Sequence, residues 1–565
     1  MRYSRRYIAF TLVLALLCGL KFTDSVDQGS QVGNYQNVRQ EASAFYPMQA
    51  AQINSSRSIK ASLDGENING VFRNILVDEQ MELMVSSSLV PELFGAHLSV
   101  HEDGRVSYQR GKSSASLFKD SLEATYNKKK VKLSHAPVFE RGVCFLPLQD
   151  LANWCGYKVD WDLNARTVNI SSQGNSKVAL PTRFDLRDEE MVSQIRDQGS
   201  ASECWADAAI GALESSLLPQ TKEQYSVTDM VNNNAFGLDS RLGGDYEMAA
   251  SYLLSWKGPK KTSDDRLDRH VQGVRFPDQN SLSDIKKAVY ERGGMTSSLY
   301  VDIADADISS ASFYSKESNS YCYTGKNRPN HDVIIVGWDD NYKAENFKGN
   351  AKEDGAWICQ NSWGKDFGES GVFYVSYEDT TIGSQAASYA DVEDSDNFKE
   401  IYQSDLAGWI GQVGYGNGKI AAANFYMARE DSQVEAAGFY ALGKNTRYQV
   451  SFVSNIRGSG GLNNRVQVAS GLLRDRGFYT IRFDSPKEVG ANCKFAVVVE
   501  LDTPDATQPM AIEYRTGDNR TANIDLKDGE GYISKDGSQW ESTEKKISAN
   551  LCLKAYSNPA ARRDQ

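Results

Sequence analysis

Cysteine and histidine are scarce in this sequence, whose 565 residues include eight cysteines and five histidines. No CxxC pair or comparable spacing is present, which argues against a structural zinc site and against a disulfide framework. A bridge between Cys144 and Cys155 remains open, and we interpret the other scattered cysteines, apart from Cys204, mainly as buried thiols. Because no cluster of metal-ligating side chains is visible, the sequence predicts neither a metal site nor another cofactor.

An excess of basic residues is also absent. Lysine and arginine together number 62, against 74 aspartates and glutamates, which leaves a net charge of −12. This charge disfavours nucleic acid and anionic membranes as partners. The hydrophobic content of 40% and the charged content of 24% are typical of a globular protein, and the length predicts about three to four domains.

Long apolar runs are missing except at the N-terminus. Residues 8–20 are apolar and follow three arginines within the first six residues, which is the pattern of a secretory signal peptide. Thr23 and Ser25 are small residues at suitable positions before a cleavage site. Residues 1–25 therefore predict export to the cell surface or the medium, with an uncleaved membrane anchor as the alternative.

Three residues that lie far apart in the chain suggest nucleophilic catalysis. Cys204 begins an amphipathic helix predicted to end at Leu218, before Pro219, and a helix N-terminus favours the thiolate that attacks carbonyl carbon. His331 and Asn361 follow the cysteine by 127 and 157 residues. An imidazole can accept the thiol proton, and an asparagine oxygen can hold that imidazole in one orientation.

Two donors are candidates for stabilising the oxyanion that forms when a thiolate attacks a carbonyl group. They are the side-chain amide of Gln198 and the backbone N–H of Cys204. Trp363, two residues after Asn361, is predicted to shield the bond between histidine and asparagine from water. Taken alone, each of these residues is more simply explained as part of the hydrophobic core. The inference of catalysis therefore depends on their occurrence together and in this order along the chain.

Further motifs around these residues resemble those of papain-family cysteine proteases. The matching segments are residues 180–188, the glycine pair at 243–244, residues 357–364 and residues 371–375, in that order. The resemblance implies a two-lobed peptidase domain over 177–394 with a substrate cleft between the lobes. It implies these catalytic residues: Gln198, Cys204, His331 and Asn361. It implies these substrate-binding residues: Gly243, Gly244, Asn330 and Trp363, with a hydrophobic pocket that also involves residues 296–300.

The chain departs from the family pattern near the nucleophile. Glu203 and Asp207 place negative charge close to Cys204, and Asp332 follows His331 where alanine is more common. A nearby carboxylate disfavours a thiolate and raises its pKa. The same charges suggest a preference for basic residues near the cleaved bond. A papain-like surface adhesin with little or no catalytic activity is therefore the alternative function.

Residues 65–172 contain an internal repeat. In each half a short helix ends at a glycine, Gly95 or Gly156, and two alternating strands follow. This segment resembles the copper amine oxidase N-terminal-like, or stalk, domain, although no ligand cluster for copper accompanies it. Residues 26–64 are polar and predict a flexible leader or propeptide. Because residues 171–176 predict a flexible joint, we expect the region before it to restrain activity until the chain is cut near 171–180, with a permanent stalk as the alternative.

After about residue 395 the pattern becomes all-β. Alternating apolar strands joined by glycine, asparagine and aspartate turns predict a β-sandwich. Segments such as 397–402, 494–500 and 550–556 resemble the lectin-like domain that follows the catalytic domain in a clostridial group of surface cysteine proteases. Trp409, Tyr415 and Trp540 are aromatic candidates for stacking on sugars, but we interpret them as core residues.

The sequence thus predicts an α+β protein with a two-lobed papain-like domain between a small α+β repeat domain and a β-sandwich. The predicted order is a signal peptide (1–25), a leader (26–64), the repeat domain (65–172), the peptidase (177–394), the lectin-like domain (395–557) and a tail (558–565). We expect an exported bacterial cysteine endopeptidase that processes cell-envelope proteins or degrades extracellular or host proteins. Expected partners are protein or peptide substrates and a cell-wall or glycan ligand.

Overall fold

The computed structural model describes residues 59–560 apart from short gaps at 70–71, 73–74, 78–81, 141–142, 163–164, 174–179, 279–280, 303–311, 349–350, 518 and 528. The predicted signal peptide, nearly all of the predicted leader, half of the predicted joint and most of the tail lie outside these residues. Within them, no helix combines the length and apolar character needed to cross a membrane.

The N-terminal domain has the predicted repeat. Helix Leu89–Phe94 ends at Gly95, which adopts the left-handed conformation that favours glycine (φ +60°), and helix Leu148–Trp154 is followed by Gly156 (φ +74°). A strand pair follows each helix. The strands are Lys60–Leu63, Glu66–Asn67, Ile75–Val77, Leu83–Ser86, His97–Val100, Arg105–Arg110, Ser113–Phe118, Glu123–Tyr126, Lys129–Lys132, Val138–Glu140, Val143–Pro147, Tyr157–Asp162 and Thr167–Ser172.

The first strand corrects one predicted boundary. Lys60–Leu63 falls within the predicted leader, yet it pairs in parallel with residues 167–170 at the end of the domain. Ala61 and Leu63 are buried by this pairing, so the alternation of apolar residues places them in the core. The domain therefore begins at least five residues earlier than the sequence pattern indicated.

The helices of the peptidase domain come first in the chain and pack beside its sheet. They are Cys204–Leu217, Val227–Asn233, Tyr246–Leu254 and Leu282–Arg292. The inner face of the first helix carries small, apolar residues. A Cβ on Gly211 of this helix would lie 2.4 Å from Ile334. Glycine at this point lets the helix approach strand His331–Asp339 closely, which brings the cysteine end of the helix to the histidine end of the strand.

The strands of the peptidase domain form the predicted second lobe. They are Arg183–Asp185, Arg269–Arg275, Met295–Leu299, Tyr314–Ser315, Ser320–Tyr321, His331–Asp339, Ala356–Gln360, Val372–Ser376 and Ser384–Asp394. Strand His331–Asp339 lies between Met295–Leu299 and Ala356–Gln360, in antiparallel register with both. Its near-continuous apolar sequence is explained by burial on both faces.

The C-terminal domain is the predicted β-sandwich. Its strands are Glu400–Tyr402, Gly411–Val413, Lys419–Met427, Ser432–Ala441, Thr446–Val453, Val466–Leu473, Gly477–Val489, Lys494–Asp502, Met510–Tyr514, Gly531–Ser534, Glu541–Ser542, Ala549–Leu551 and Leu553–Pro559, with a short helix at Thr543–Ile547. Its two main sheets enclose a core that includes Phe439, Val450 and Phe495. Trp409, Tyr415 and Trp540 pack against hydrophobic cores, as we interpreted them.

The peptidase and C-terminal domains share one sheet. Strand Arg269–Arg275 pairs with Ser384–Asp394 on one side and with Gly477–Val489 of the C-terminal domain on the other. Because the hydrogen bonds of the sheet continue across the boundary, the two domains are held in a fixed relation. The sequence pattern suggested a simple succession of domains and did not reveal this continuity.

The N-terminal domain docks on helix Leu282–Arg292. His97 Nδ1 lies 2.8 Å from the carbonyl oxygen of Tyr290, and the Tyr290 hydroxyl donates to the carbonyl oxygen of Gln109 at 3.1 Å. The His97 ring also packs against Phe184. These contacts lie on a different helix from the one that begins at Cys204.

Candidate active site

A histidine, an asparagine and a tryptophan meet at the end of the central strand. His331 Nε2 lies 2.8 Å from Asn361 Oδ1, and both side chains are buried. The Trp363 ring stacks on the His331 ring with centroids 4.8 Å apart and an interplanar angle of 28°. The arrangement fixes the orientation of the imidazole and covers its bond to the asparagine.

Cys204 occupies the first position of its helix and faces this histidine-bearing strand. The backbone of Asp332, the residue after the histidine, hydrogen-bonds the Cys204 thiol, as does the backbone of Trp205. The cysteine is partly exposed, whereas Cys144, Cys155, Cys322, Cys359 and Cys552 are buried. A thiol at the start of a helix beside a histidine strand can act as a nucleophile.

Gln198 lies beside the asparagine segment. Its backbone N–H donates to the carbonyl oxygen of Ser362 at 2.9 Å, and its side-chain oxygen accepts from the Ser362 hydroxyl at 2.6 Å. Its amide nitrogen donates to the carbonyl oxygen of Ala201 at 2.6 Å. One amide hydrogen is thus committed to the loop before Cys204, and the second is the donor that an oxyanion would use.

The glycine pair packs directly against the nucleophile segment. A Cβ on Gly244 would lie 2.5 Å from the Trp205 ring, and a Cβ on Gly243 would lie 3.6 Å from the carbonyl oxygen of Ser202. Gly243 also has φ +77°, a conformation that favours glycine. The structure therefore places this backbone next to Cys204, where the sequence predicted a wall of the cleft.

Asn330 has a clear local role. Its side-chain oxygen accepts from the N–H of Val301 at 2.7 Å, and its amide donates to the carbonyl oxygen of Val301 at 3.0 Å. Both ends of the amide are thus used to tie residue 301 to the start of the histidine strand. The predicted pocket segment before it, residues 296–299, is a buried strand, and Tyr300 is partly exposed.

Burial and charge oppose ionisation of the two reactive groups. Burial, together with the carboxylates of Asp332 and Asp207, raises the pKa of Cys204 to about 12 against the opposing effect of the two backbone hydrogen bonds. Burial lowers the pKa of His331 to about 4 against the opposing effect of the bond to Asn361. A neutral thiol beside a neutral imidazole is therefore favoured, and both shifts oppose proton transfer from the thiol to the imidazole in the free protein.

The structure shows which of the carboxylates near Cys204 affect the pKa of its thiol. Asp332 has a larger effect on the pKa of Cys204 than Asp207, although the sequence analysis emphasised Glu203 and Asp207. Burial, with a smaller contribution from Glu203, raises the pKa of Asp207 itself to about 7 against the opposing effect of Arg196. The side chain of Asp332 accepts a hydrogen bond from the Ser298 hydroxyl on the neighbouring strand. Only the pairing of the two strands reveals this contact.

The open question of a disulfide is also answered. Cys144 and Cys155 are both free and buried, and the Cys155 sulfur lies 3.2 Å from the Tyr108 hydroxyl instead of bonding to another sulfur. The bridge that remained open is therefore absent. Among the described residues, no group of histidine, cysteine and acidic side chains is placed to hold a metal ion.

Comparisons with known proteins agree with this geometry. Residues 180–391 match the model of the papain family of cysteine proteases. Residues 180–391 are a papain-family cysteine protease domain. Residues 63–170 match the copper amine oxidase N-terminal domain, and residues 401–557 match the lectin-like domain. The predicted family resemblances are confirmed for all three parts of the chain.

Curated relatives of the protease domain include animal and protist cathepsins. Mouse cathepsin S is 28% identical over 237 residues, which covers 37% of this chain and 62% of the relative. Rat cathepsin J is 27% identical over 245 residues, with 40% and 69% covered. Cathepsin L 2 of Paramecium tetraurelia is 29% identical over 236 residues, with 39% and 65% covered. The similarity thus spans about two thirds of these relatives.

Two solved structures resemble the protease and C-terminal domains together. One is the clostridial cysteine protease Cwp84 after propeptide cleavage, with a TM-score of 0.60 and 23% identity over 67% of this chain and 99% of that chain. The other contains the cysteine protease and lectin-like domains of Cwp84, a surface layer associated protein of Clostridium difficile, with a TM-score of 0.59, 22% identity and coverage of 68% and 90%. This similarity confirms the predicted fold.

Proposed function

We propose that this chain is an exported cysteine endopeptidase that cleaves peptide bonds through an acyl-thioester on Cys204. The cysteine sulfur bonds to the scissile carbonyl carbon while His331 takes the thiol proton. His331 then gives this proton to the leaving amine as the C–N bond breaks. Water then bonds to the thioester carbon while His331 takes a proton from the water. The C–S bond breaks as His331 returns this proton to the sulfur, which releases the acid and restores the thiol. Gln198 and the Cys204 N–H stabilise the oxyanion at both stages, and Asn361 orients the histidine.

One observation carries this proposal more than any other. The imidazole of His331 is held by Asn361 Oδ1 at 2.8 Å and covered by Trp363, on the strand that packs against the helix beginning at Cys204. A buried structural histidine would need a partner for its ring nitrogen, but it would not need a partly exposed thiol at a helix N-terminus beside it.

The test uses a quenched protein substrate under reducing conditions. The full chain without residues 1–25 is expected to cleave it, and Cys204→Ala is expected to lower kcat by about a thousandfold or more. Cys493→Ala is a matched control, because Cys493 is also free and partly exposed but lies in the C-terminal domain. Activity that persists in the Cys204 variant would refute the proposed role of this residue.

We propose proteins of the cell envelope, or extracellular and host proteins, as substrates. The description of Cwp84 as surface layer associated supports a location outside the cell, as does the predicted signal peptide. Asp332 beside the nucleophile supports a preference for basic residues near the cleaved bond. A peptide library profiled at low and high salt tests this preference, because salt screens exposed charges beyond about 8 Å; a lack of lysine and arginine enrichment contradicts it.

A papain-like adhesin of low activity is the second candidate, and the raised pKa of Cys204 favours it. An epoxide or vinyl-sulfone probe of cysteine proteases separates the two. Rapid labelling at Cys204 supports the peptidase. An inert thiol, together with ligand binding by residues 395–557, supports the adhesin.

For the C-terminal domain we propose a cell-wall or glycan ligand. Its aromatic residues pack inward, so a platform of exposed rings does not support this proposal. A cleft of about 470 Å³ does, because polar and basic side chains including Asn455, Arg457, Asn464 and Lys487 line it. Binding of purified cell-wall polysaccharide by the chain, and its loss in Arg457→Gln, would support this site; binding that is unchanged in the variant would exclude it.

We also propose that the region before residue 180 restrains activity until it is removed. A permanent stalk is the alternative, and it is favoured by the docking of the N-terminal domain on helix Leu282–Arg292, which is not the helix that begins at Cys204. N-terminal sequencing of active secreted protein distinguishes the two. A start near residues 171–180 supports an inhibitory role, and a start near residue 26 in fully active protein excludes it.

A further inference from the structure

A buried ion pair joins the C-terminal domain to the residue that follows the glycine pair of the cleft. Arg520 Nη1 donates to Asp245 Oδ2 at 2.5 Å, and Nη2 donates to Asp245 Oδ1 at 2.9 Å. The two side chains are only 16% and 7% exposed. Arg520 Nη2 also donates to Glu247 at 3.2 Å. A two-point contact of this kind between largely buried groups is strong and fixes direction as well as distance.

The arginine is itself held against the protease domain. Its carbonyl oxygen accepts from the N–H of Gly237 at 3.0 Å, and its guanidinium lies 5.0 Å from the centre of the Phe236 ring. The next residue, Thr521, is buried and accepts from the N–H of Thr516 at 2.6 Å. The loop that carries Arg520 is therefore held against Phe236 and Gly237 of the protease domain and against Thr516 of its own domain.

Asp245 connects the anchored arginine to the glycine pair at residues 243–244. Its Oδ1 caps helix Tyr246–Leu254 by accepting from the N–H groups of Glu247 and Met248, each at 3.1 Å. On the other side, Gly244 is pressed against the Trp205 ring, one residue from the nucleophile. The backbone of residues 243–245 is thus held between the nucleophile helix and the arginine of the C-terminal domain.

We infer that Arg520 is a positioning residue for substrate binding, and that the C-terminal domain thereby supports one wall of the peptide cleft. This inference rests on the proposed peptidase function and adds a role for a residue outside the protease domain. The backbone at residues 243–244 is the wall on which an extended peptide would lie. We call the pair of Arg520 and Asp245 the clamp. Without the clamp this wall can shift, and the substrate is then bound more weakly in the ground state and in the transition state alike.

The expected effect is a higher KM with kcat nearly unchanged. Arg520→Gln in the full chain is expected to raise KM for a peptide substrate about three- to tenfold and to change kcat less than about twofold. Asp245→Asn keeps a residue that can cap the helix and is expected to have a similar effect. The double variant is expected to be no worse than Arg520→Gln alone, because that change already removes the interaction between Arg520 and Asp245.

Controls separate positioning from general damage. Arg429→Gln removes an arginine of the same domain whose pair with Glu400 is exposed, and it is expected to leave KM unchanged. Alkylation of Cys204 by iodoacetamide, a reagent too small to need the cleft wall, is expected to proceed at the wild-type rate in Arg520→Gln. Arg520→Lys retains the charge and is expected to recover part of the loss, and it replaces the glutamine variant if that protein does not fold.

The outcomes are distinguishable. An inactive wild-type chain whose Cys204 does not react refutes the proposed function. An active wild-type chain whose KM is the same in Arg520→Gln, or additive effects of the two variants, refutes the clamp. If kcat and the alkylation rate both fell in Arg520→Gln, Arg520 would contribute to the stability of the whole protein rather than to substrate positioning. This result would also refute the clamp.

Discussion

Removal of the Asp332 charge is expected to make Cys204 more reactive. The carboxylate is, after burial, the largest influence that raises the pKa of the thiol. Asp332→Asn removes the charge, and the amide oxygen can still accept the hydrogen bond from the Ser298 hydroxyl. The backbone hydrogen bond to the sulfur does not depend on the side chain. The change therefore isolates the electrostatic effect.

The magnitude follows from the Coulomb energy of two nearby charges. At an effective dielectric constant of about 20, two unit charges about 4 Å apart interact by about 4 kcal/mol, and the energy falls in inverse proportion to their separation. Partial exposure of Asp332 reduces this value, so we expect the pKa of Cys204 to fall by about one unit. Because the nucleophilicity of a thiolate falls with its pKa, the alkylation rate at neutral pH should rise only about threefold.

The assay is the pH dependence of iodoacetamide labelling. It is performed in a Cys493→Ala background, so that Cys204 is the partly exposed thiol that remains among the described cysteines. Since the thiolate reacts, the rate rises with pH, and the whole profile of Asp332→Asn should move to lower pH. Asp354→Asn, which removes a carboxylate paired with Lys343 on the surface, should leave it in place. A profile that is unmoved or moves to higher pH in Asp332→Asn would refute the reasoning.

Three further predictions concern other parts of the molecule. Asn361→Ala removes the acceptor that orients the imidazole and should lower kcat by about 10–100-fold with little change in KM; steady-state kinetics with normal kcat would contradict its role. Gly244→Ala places a methyl group 2.5 Å from the Trp205 ring and should abolish turnover, whereas Gly460→Ala, which has open space around it, should not. Burial raises the pKa of Glu291 from its usual value near 4.5 to about 7, so the native state binds the extra proton and wild-type stability falls as pH rises through this range. Between pH 4 and pH 8, Glu291→Gln should therefore lose about 2–3 kcal/mol less stability than wild type in urea unfolding, and an equal pH dependence in the two proteins would contradict this.

Much of the fold follows from local pattern. The helix that begins at Cys204 was predicted to end at Leu218 and ends at Leu217, because an apolar face and a following proline are visible in the sequence. Strands Ala356–Gln360 and Met510–Tyr514 are short, largely apolar segments, as expected for buried strands. Helix Tyr246–Leu254 was not predicted, since its sequence is apolar on nearly all sides and gives little periodicity.

The sequence by itself determined the order and kind of the candidate site residues. Cys204, His331 and Asn361 stand in motifs whose residue types and separations already indicate a cysteine protease. These motifs are local, and each residue carries its chemistry wherever the chain places it. For this reason the family, the nucleophile and its partners could be inferred before any contact was known.

Only the tertiary structure decided how that site is tuned and supported. The effect of Asp332 depends on strand pairing with Ser298, and the clamp joins Arg520 to Asp245 across 275 residues. The shared sheet through Arg269–Arg275 likewise joins segments about 200 residues apart. Such contacts leave no trace in periodicity or composition, because burial and electrostatic energy depend on distances in space rather than on positions along the chain.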